Sequence, residues 1–189
     1  MKRVVSIIFA IFLITGCIPK ATHQINTYDL SVNIDTTSTK RVNKVLKVKY
    51  PMALGAINSS RIFYKKDGIT SYYLYSRWSD SLSRLIYKDI LTALQNSKKY
   101  KDVIGYSSSA RADLSLEVEI VDFYHIVENS NTSYALITIN VRYLDEKTQK
   151  IVKSRVFRYK KYLDNANAKS FVKAAKEALR EFLRELIKD

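Results

Sequence analysis

Residues 114–127 read LSLEVEIVDFYHIV, and the rest of the chain is best understood by working outward from them. Apolar and polar residues alternate from Leu114 to Ile120, which predicts a β-strand with one buried and one solvated face. The phase then slips, because the next apolar positions are Val121 and Phe123. A one-residue slip reverses the faces of a strand unless an extra residue bulges out. We therefore predict a β-bulge near Ile120–Asp122.

Two further strands follow this one along the chain. Residues 128–131, Glu-Asn-Ser-Asn, are typical of a turn, and the next segment places alternate apolar residues on one face. A second turn at Asp145-Glu146-Lys147-Thr148 leads to a strand over Ile151–Tyr159. Three strands joined by short turns predict an antiparallel meander.

Upstream, residues 61–78 read RIFYKKDGITSYYLYSRW, two apolar runs around an Asp-Gly pair. Asp-Gly between alternating segments predicts a tight hairpin turn, because glycine accepts a positive φ. Alternation along the second arm would put Tyr73 and Tyr75 on one face and Tyr72 and Leu74 on the other. Two shorter strands are expected earlier, at Tyr28–Leu30 and at Val45–Val48 before Pro51.

Two segments have the spacing of amphipathic helices. Ser79-Asp80-Ser81 supplies capping side chains, and apolar residues then recur every three or four positions from Leu82 to about Asn96. A second apolar stripe runs through the C-terminal segment after Asp164. Its polar face mixes both charge signs, which favours packing on the domain's own sheet over membrane insertion. The predicted fold is α+β, a mostly antiparallel sheet with two amphipathic helices packed on one face.

The N-terminus has the layout of a secretory signal peptide. Lys2 and Arg3 precede an apolar run from Val4 to Ile14, which is shorter than the roughly 20 residues of a membrane span. The single cysteine of the chain, Cys17, follows the small residues Thr15 and Gly16. An incidental cysteine in a secreted protein and an uncleaved membrane helix are the alternatives. With Cys17 used elsewhere, no disulfide can form in the folded part.

The segment Leu13-Ile14-Thr15-Gly16-Cys17 resembles the lipobox of bacterial lipoproteins, in which the cysteine is acylated after cleavage. Several acyl chains, palmitate among them, anchor a protein stably where one does not. Ile18 stands where an aspartate commonly signals inner-membrane retention, so the resemblance implies a lipid anchor in the outer membrane, facing the periplasm. We expect a signal peptide over 1–16, a lipidated cysteine and tether over 17–27 and one domain over 28–189.

Export changes which partners the positive net charge favours. The whole chain carries a formal net charge of +14, and without Lys2 and Arg3 it keeps 30 basic against 18 acidic side chains. A periplasmic domain does not meet cytoplasmic nucleic acid, so nucleic acid is not an expected partner. Acidic phospholipid headgroups and an acidic protein surface are attracted to a basic face. A lysine-rich, evenly solvated surface is the alternative.

The side chains of known catalytic and metal sites are scarce. His125 is the one histidine of the predicted domain, and no HExxH, GxSxG or glycine-rich phosphate loop is present. Glu117 and Glu119 share one strand face and have the spacing of a carboxylate pair, but a solvated strand face has the same pattern. We predict a protein without enzymatic activity, metal or cofactor.

The order of these elements resembles a known family, the auxiliary lipoproteins of ABC-type transport systems in their paraquat-inducible type C group. The family's strands and helix match Arg61-Ile62, Tyr64, Tyr72-Tyr73, Arg77-Trp78 and then Leu91, Leu94 and Ser97. The resemblance covers most of the chain after Cys17 and is best over 28–105. One departure is Ser-Asp-Ser after Trp78, where the family often has an acidic residue and prolines.

The resemblance implies an accessory lipoprotein that works with a periplasmic MCE-domain protein and an ABC transporter to move phospholipid or other apolar molecules. Homo-oligomers are compatible with such a role. Tyr, Trp and Arg are favoured at interface centres, so the candidate partner interface is Tyr72, Tyr73, Tyr75, Arg77 and Trp78. For Trp78 the alternative is an indole that closes the end of the core.

Two other functions remain open from the sequence. The domain itself could hold an apolar ligand between helices and sheet, where the small residues Ala93, Ala175 and Ala178 leave room, although close helix packing explains the same residues. A structural or assembly role in the envelope is the third possibility.

Overall fold

Strand Leu114–Val127 is the centre of a curled, mixed sheet of nine strands in the computed structural model, which describes residues 24–34, 37–38, 40–129 and 131–188. The predicted signal peptide and Cys17 lie outside the described residues. In chain order the strands are β1 (Asn26–Tyr28), β2 (Val42–Val48), β3 (Met52–Ala53), β4 (Arg61–Lys66), β5 (Ile69–Trp78), β6 (Tyr100–Gly105), β7 (Leu114–Val127), β8 (Ser133–Asp145) and β9 (Lys150–Tyr162). The helices are α1 (Leu82–Asn96) and α2 (Ala168–Lys188).

One edge of β7 carries the predicted meander. β7 pairs antiparallel with β8 from Leu114↔Asp145 to Val127↔Ser133, and β8 pairs antiparallel with β9. The register shifts between Ile120 and Asp122, which confirms the predicted bulge and leaves Val121 as the extra residue. Phe123 therefore returns to the face that Ile120 occupies, and both are buried.

The other edge of β7 is divided among three short strands. β2 pairs with Leu114–Leu116, β3 with Glu119–Ile120 and β4 with His125–Val127, and all three run parallel to β7. β6 then extends the sheet beyond β2, whereas β5 and β1 extend it beyond β4. The sheet is thus mixed, and the expectation of a mostly antiparallel sheet is wrong. Parallel partners come from distant parts of the chain and leave no turn between them to predict.

The hairpin and helix predictions are confirmed in outline. Asp67 and Gly68 form the turn between β4 and β5 with φ values of 50° and 76°. α1 begins after Ser81, but its hydroxyl makes no capping bond; the Asp80 side chain instead accepts from the Ser81 N–H. At α2 the Asn167 side chain accepts from the Ser170 N–H, as an N-cap does.

Both helices contact each other and contribute to one core cluster. The apolar stripe of α2 is fully buried, with Phe171 and Phe182 at 0% exposure. Neither α1 nor α2 is long and apolar enough to cross a bilayer.

The first strand begins earlier than expected. Asn26 and Thr27, which the sequence placed in the tether, pair with Ser76 and Arg77 of β5 in β1. Leu30, which the sequence placed in a strand, lies beyond β1 and is buried in the core. The chain continues over α1, where the Val32 N–H donates to the Asp89 carboxylate at 3.3 Å.

Candidate functional site: an aromatic groove on strand β5

The predicted interface residues lie on β5, where the pairing with β4 is interrupted. Arg61 pairs with Arg77, but the next pair is Phe63 with Tyr72, so β5 carries three more residues than β4 between these points. Beyond the break, β1 covers only Ser76–Trp78. In the described part of the chain no strand lies along the outer edge of β5 before Ser76. The predicted alternation holds for Tyr72 and Tyr73, whose rings contact the successive β4 residues Phe63 and Tyr64.

Tyr72 is half-buried at the base of this region. Its ring meets Phe63 edge to face at a centroid distance of 6.1 Å, and the Arg61 guanidinium lies 4.3 Å from the ring centroid. Aromatic pairs and cation–π contacts of this kind each stabilise by about 0.5–1.5 kcal/mol. Tyr72 is therefore held in place by neighbours on β4.

Tyr73 points toward the core side and meets a buried histidine. Its hydroxyl oxygen lies 2.6 Å from Nδ1 of His125, and its ring packs 5.1 Å from Tyr64. His125 is 0% exposed and stacks at 5.9 Å on Phe171 of α2. The chain thus uses His125 to connect the groove wall to the core.

Burial sets the ionisation of this pair. It lowers the pKa of His125 to about 4 and raises the pKa of Tyr73 to about 12. Both groups are neutral at pH 7, and the Tyr73 hydroxyl donates to Nδ1 when the imidazole proton is on Nε2. Nε2 has no hydrogen-bond partner within the described residues. His125 is thus a buried, neutral histidine near the end of β7.

These tyrosines form one wall of an open groove of about 470 Å³. Leu74 and Tyr75 at its mouth are 68% and 47% exposed, which leaves apolar surface in contact with water. The remaining lining comes from β4, the end of β7 and the segment before α2. The lining residues are Tyr64, Lys66, Tyr72, Tyr73, Leu74, Tyr75, Val127, Asn129 and Ala166.

Three of the five predicted interface residues, Tyr72, Tyr73 and Tyr75, therefore meet in one groove. Arg77 is exposed nearby, where its Nε donates to the Thr27 hydroxyl at 3.4 Å. Trp78 is not part of this surface: it is 2% exposed and packs against Phe123 and Phe171. Its indole closes the core end, which is the alternative that the sequence left open.

Sequence reasoning missed the other side of the groove. Tyr64 was visible in the hairpin pattern, but it was not included in the predicted interface, although its ring packs against Tyr73. Val127, Asn129 and Ala166 are distant in sequence and meet only because β7 ends beside the hairpin and below the start of α2. No local sequence pattern indicates that these segments lie close together in the fold.

The glutamates on β7 each face a cation or an amide. Glu117 accepts from Lys49 Nζ at 3.0 Å. Glu119 accepts from Asn140 at 2.8 Å and lies 3.8 Å from Arg142. This arrangement is that of a salt-bridged strand face, not of two carboxylates that share a proton. Among residues 24–34, 37–38, 40–129 and 131–188, no group of three or more acidic, histidine or cysteine side chains is arranged to hold a metal ion.

The small residues of the helices are part of the packed core. Ala93 is 5% exposed, and Ala175 and Ala178 are both 0% exposed within the core cluster. Close helix packing accounts for them, and they line neither the aromatic groove nor the two other cavities described below.

The comparison with family models gives one match, to the ABC-type transport auxiliary lipoprotein component, over residues 28–186. No curated protein matches the chain.

Solved structures share the fold. Protein XCC0632 from Xanthomonas campestris, of the DUF330 family, superposes with a TM-score of 0.77 at 22% identity, covering 86% of this chain and 92% of that one. The hypothetical protein CT253 from Chlamydia trachomatis gives 0.51 at 10% identity, over 77% and 96%. At such identities the likeness extends to the fold alone.

Proposed function

Because this chain belongs to the ABC-type transport auxiliary lipoprotein family, we propose that it is an outer-membrane lipoprotein that docks the periplasmic end of an intermembrane lipid conduit. Its partner in this proposal is an MCE-domain protein that works with an inner-membrane ABC transporter. Cys17 would carry the lipid anchor, and phospholipid would be the cargo. The membership supports a transport role and an envelope location; the partner, the membrane and the cargo are the proposal.

The observation that carries the docking role is the aromatic groove beside an open strand edge. An extended segment can add to the outer edge of β5 between Ile69 and Tyr75, and its side chains can enter the groove lined by Tyr72 and Tyr73. Strand addition of this kind takes affinity from main-chain hydrogen bonds and specificity from side-chain pockets. Ile69, at 67% exposure, and Leu74 extend the apolar surface along the same strand.

Charge around the groove favours a particular partner. Lys66 lines the groove, and Arg61 and Arg77 are exposed on the same two strands. A partner segment with apolar side chains and flanking acidic residues complements this surface. We therefore expect an extended, apolar and acidic segment of the MCE-domain protein to dock here.

The test is site-specific photo-crosslinking of the full-length protein in its native cells. A photo-reactive phenylalanine analogue replaces Tyr75 in one variant and Tyr162 in a matched one. Tyr162 is also exposed, at 65%, but lies on β9, which β4, β7 and β8 separate from β5. We expect the MCE-domain protein to crosslink from position 75 and not from position 162, and the crosslink to be lost in Cys17→Ala.

Two outcomes would contradict the proposal. Equal crosslinking from both positions would show contact without a specific site at the groove. Crosslinks from position 75 that reach only cell-wall or outer-membrane assembly proteins would favour the structural role instead.

A further inference from the structure

Two cavities adjoin at the opposite branch of the sheet, around β2 and β6. The larger has a volume of about 490 Å³ and the smaller about 260 Å³. They share three lining residues, Val42, Lys99 and Tyr100. These three residues therefore lie between the two cavities, which open side by side.

The larger cavity is cationic. Four basic side chains, from Arg41, Lys98, Lys99 and Lys101, line it together with a single acidic one, from Asp102. One Asp102 oxygen already accepts from the Val103 N–H at 2.8 Å. A concave site with a net lining charge of this sign attracts anions, and ammonium and guanidinium groups together suit phosphate.

Lys99 is held at the junction of the two cavities. Its side chain is 5% exposed, and its backbone is fixed on both sides, by a bond from the Val42 N–H to its carbonyl at 2.7 Å and by its own N–H to the Ser97 hydroxyl at 3.3 Å. Its ammonium lies 5.4 Å from the Tyr100 ring centroid. A buried ammonium at the meeting point of a polar and an apolar cavity is suited to the boundary between a charged headgroup and a hydrocarbon chain.

The smaller cavity is mostly apolar. Beyond the shared residues, its lining comes from Leu114, Tyr143, Val152 and Lys153. Val152 is the extra residue of a second bulge, because β9 shifts register against β8 between Tyr143 and Leu144. The bulge leaves this valine 56% exposed at the cavity wall. Exposed apolar surface in a concavity favours a hydrocarbon ligand.

We infer that these joined cavities, here called the two-part site, bind an anionic amphiphile, with a phosphate group among the cations and the start of an alkyl chain against Leu114 and Val152. The site is separate from the aromatic groove, since the two lie on different branches of the sheet. The inference therefore does not depend on the docking role, and it is tested on the protein without any partner.

The probes separate an amphiphile from free phosphate. Hexyl phosphate carries both parts and is soluble as a monomer, inorganic phosphate carries the head alone, and 1-hexanol carries the chain alone. Each is titrated against the full chain in phosphatidylcholine nanodiscs and against empty nanodiscs, and binding is followed by ligand-observed NMR. We expect hexyl phosphate to bind at least about tenfold more tightly than either part, because burying each methylene contributes about 0.8 kcal/mol.

Variants test whether the larger cavity binds the phosphate group and the smaller one binds the alkyl chain. The double variant Arg41→Gln with Lys101→Gln should weaken the binding of hexyl phosphate and of inorganic phosphate alike, by about tenfold. Both side chains are exposed, and the matched control changes two exposed lysines of α2, Lys169→Gln with Lys188→Gln. Val152→Ser should weaken the binding of hexyl phosphate about threefold and leave the affinity for inorganic phosphate unchanged. Its control is Val156→Ser on the same strand, 59% exposed and outside the cavity lining.

The following results would overturn the inference. Equal affinities for hexyl phosphate and inorganic phosphate would show a phosphate site without an amphiphile. Equal effects of the site variants and their controls would show binding governed by overall charge. Binding of 1-hexanol as tight as that of hexyl phosphate would show an apolar site without a role for the cations.

Discussion

The two edges of β7 are hydrogen-bonded to neighbouring strands in opposite ways. On one edge a single strand, β8, pairs along the whole length of β7. On the other edge three strands share the length, in stretches of two or three residue pairs each. The continuous edge makes a uniform wall, whereas the divided edge opens into two branches. Both proposed sites lie at those branches, and Leu114 of one and Val127 of the other are roughly 40 Å apart along β7 at 3.3 Å per residue. The difference teaches that concave surface forms where the pairing along β7 changes partners.

Deletion of Val121 is the strongest test of the contrast between the two edges of β7. Without the extra residue, either the first or the second half of β7 must turn its apolar side chains away from the core. We expect a loss of more than about 4 kcal/mol in the free energy of unfolding, enough to prevent stable folding. Denaturant unfolding and far-UV circular dichroism measure it.

The control deletion removes Val152, the extra residue of the β9 bulge. That bulge lies near the strand end, so only Lys150 and Ile151 change faces, and the fold should survive. Equal damage from both deletions would mean that the bulge in the central strand has no special role.

Trp78→Ala is expected to have the next largest effect. Trp78 joins the β5 branch to β7 and α2 through Phe123 and Phe171, at centroid distances of 5.9 and 6.1 Å. Loss of a buried aromatic side chain leaves a cavity and costs about 3–5 kcal/mol. Urea unfolding should show it, with Tyr162→Ala as an exposed control that changes stability by less than about 1 kcal/mol. A loss below 1 kcal/mol for Trp78→Ala would contradict the packing described.

Two buried groups, one on each branch's side of the core, should give opposite pH dependence. Burial lowers the pKa of His125 to about 4, from an ordinary value of about 6.5, so protonation of the unfolded chain removes stability as pH falls from about 6.5 to 4. Burial also raises the pKa of Asp89 to about 7, so stability is lost as pH rises from about 4 to 7. In the natural chain the two effects oppose each other over the same range.

Single variants should separate these two effects. Asp89→Asn removes the opposing carboxyl group, and stability should then fall by about 3 kcal/mol on acidification from pH 7 to 4. In His125→Phe the slope should reverse. Urea unfolding across this pH range measures both, and parallel slopes in the two variants would contradict the assignment.

The smallest expected effect is at the hairpin turn that supports the aromatic groove. Gly68 has a φ of 76°, and an added Cβ meets no atom within 4 Å, so the cost of Gly68→Ala is conformational. We expect about 1 kcal/mol, and a weaker photo-crosslink from position 75. The two-part site on the other branch should keep its affinity for hexyl phosphate. Loss at both sites would mean that the branches are coupled.

The sequence predicted the continuous edge much better than the divided one. Asp145-Glu146-Lys147-Thr148 and Asp67-Gly68 are local turn signals, and the phase slip after Ile120 located the bulge within one residue. The parallel pairings of β2, β3 and β4 have no such local signal. Of the capping side chains expected from Ser79-Asp80-Ser81, the Ser81 hydroxyl makes no capping bond, and the Asp80 carboxylate accepts from the Ser81 N–H.

The candidate site was predicted in part. Aromatic and arginine content pointed to β5, and three of the tyrosines do meet in the aromatic groove. Trp78 was chosen with them by residue type, but its burial depends on Phe171, almost one hundred residues later. The two-part site could not be predicted, because Arg41, Lys101 and Val152 are brought together only by the folded sheet.

The parallel pairing of β2 with β7 also has a consequence for how the chain folds. β2 is complete at Val48, yet its partner on β7 begins at Leu114. Closing so long a loop costs entropy before any contact compensates it, whereas the meander closes through short turns. We expect β7, β8, β9 and α2 to form the folding nucleus. The strands before β7, which carry most of the aromatic groove and of the cationic cavity, would then be added last, whereas Leu114, Tyr143 and Val152 of the smaller cavity lie in the nucleus.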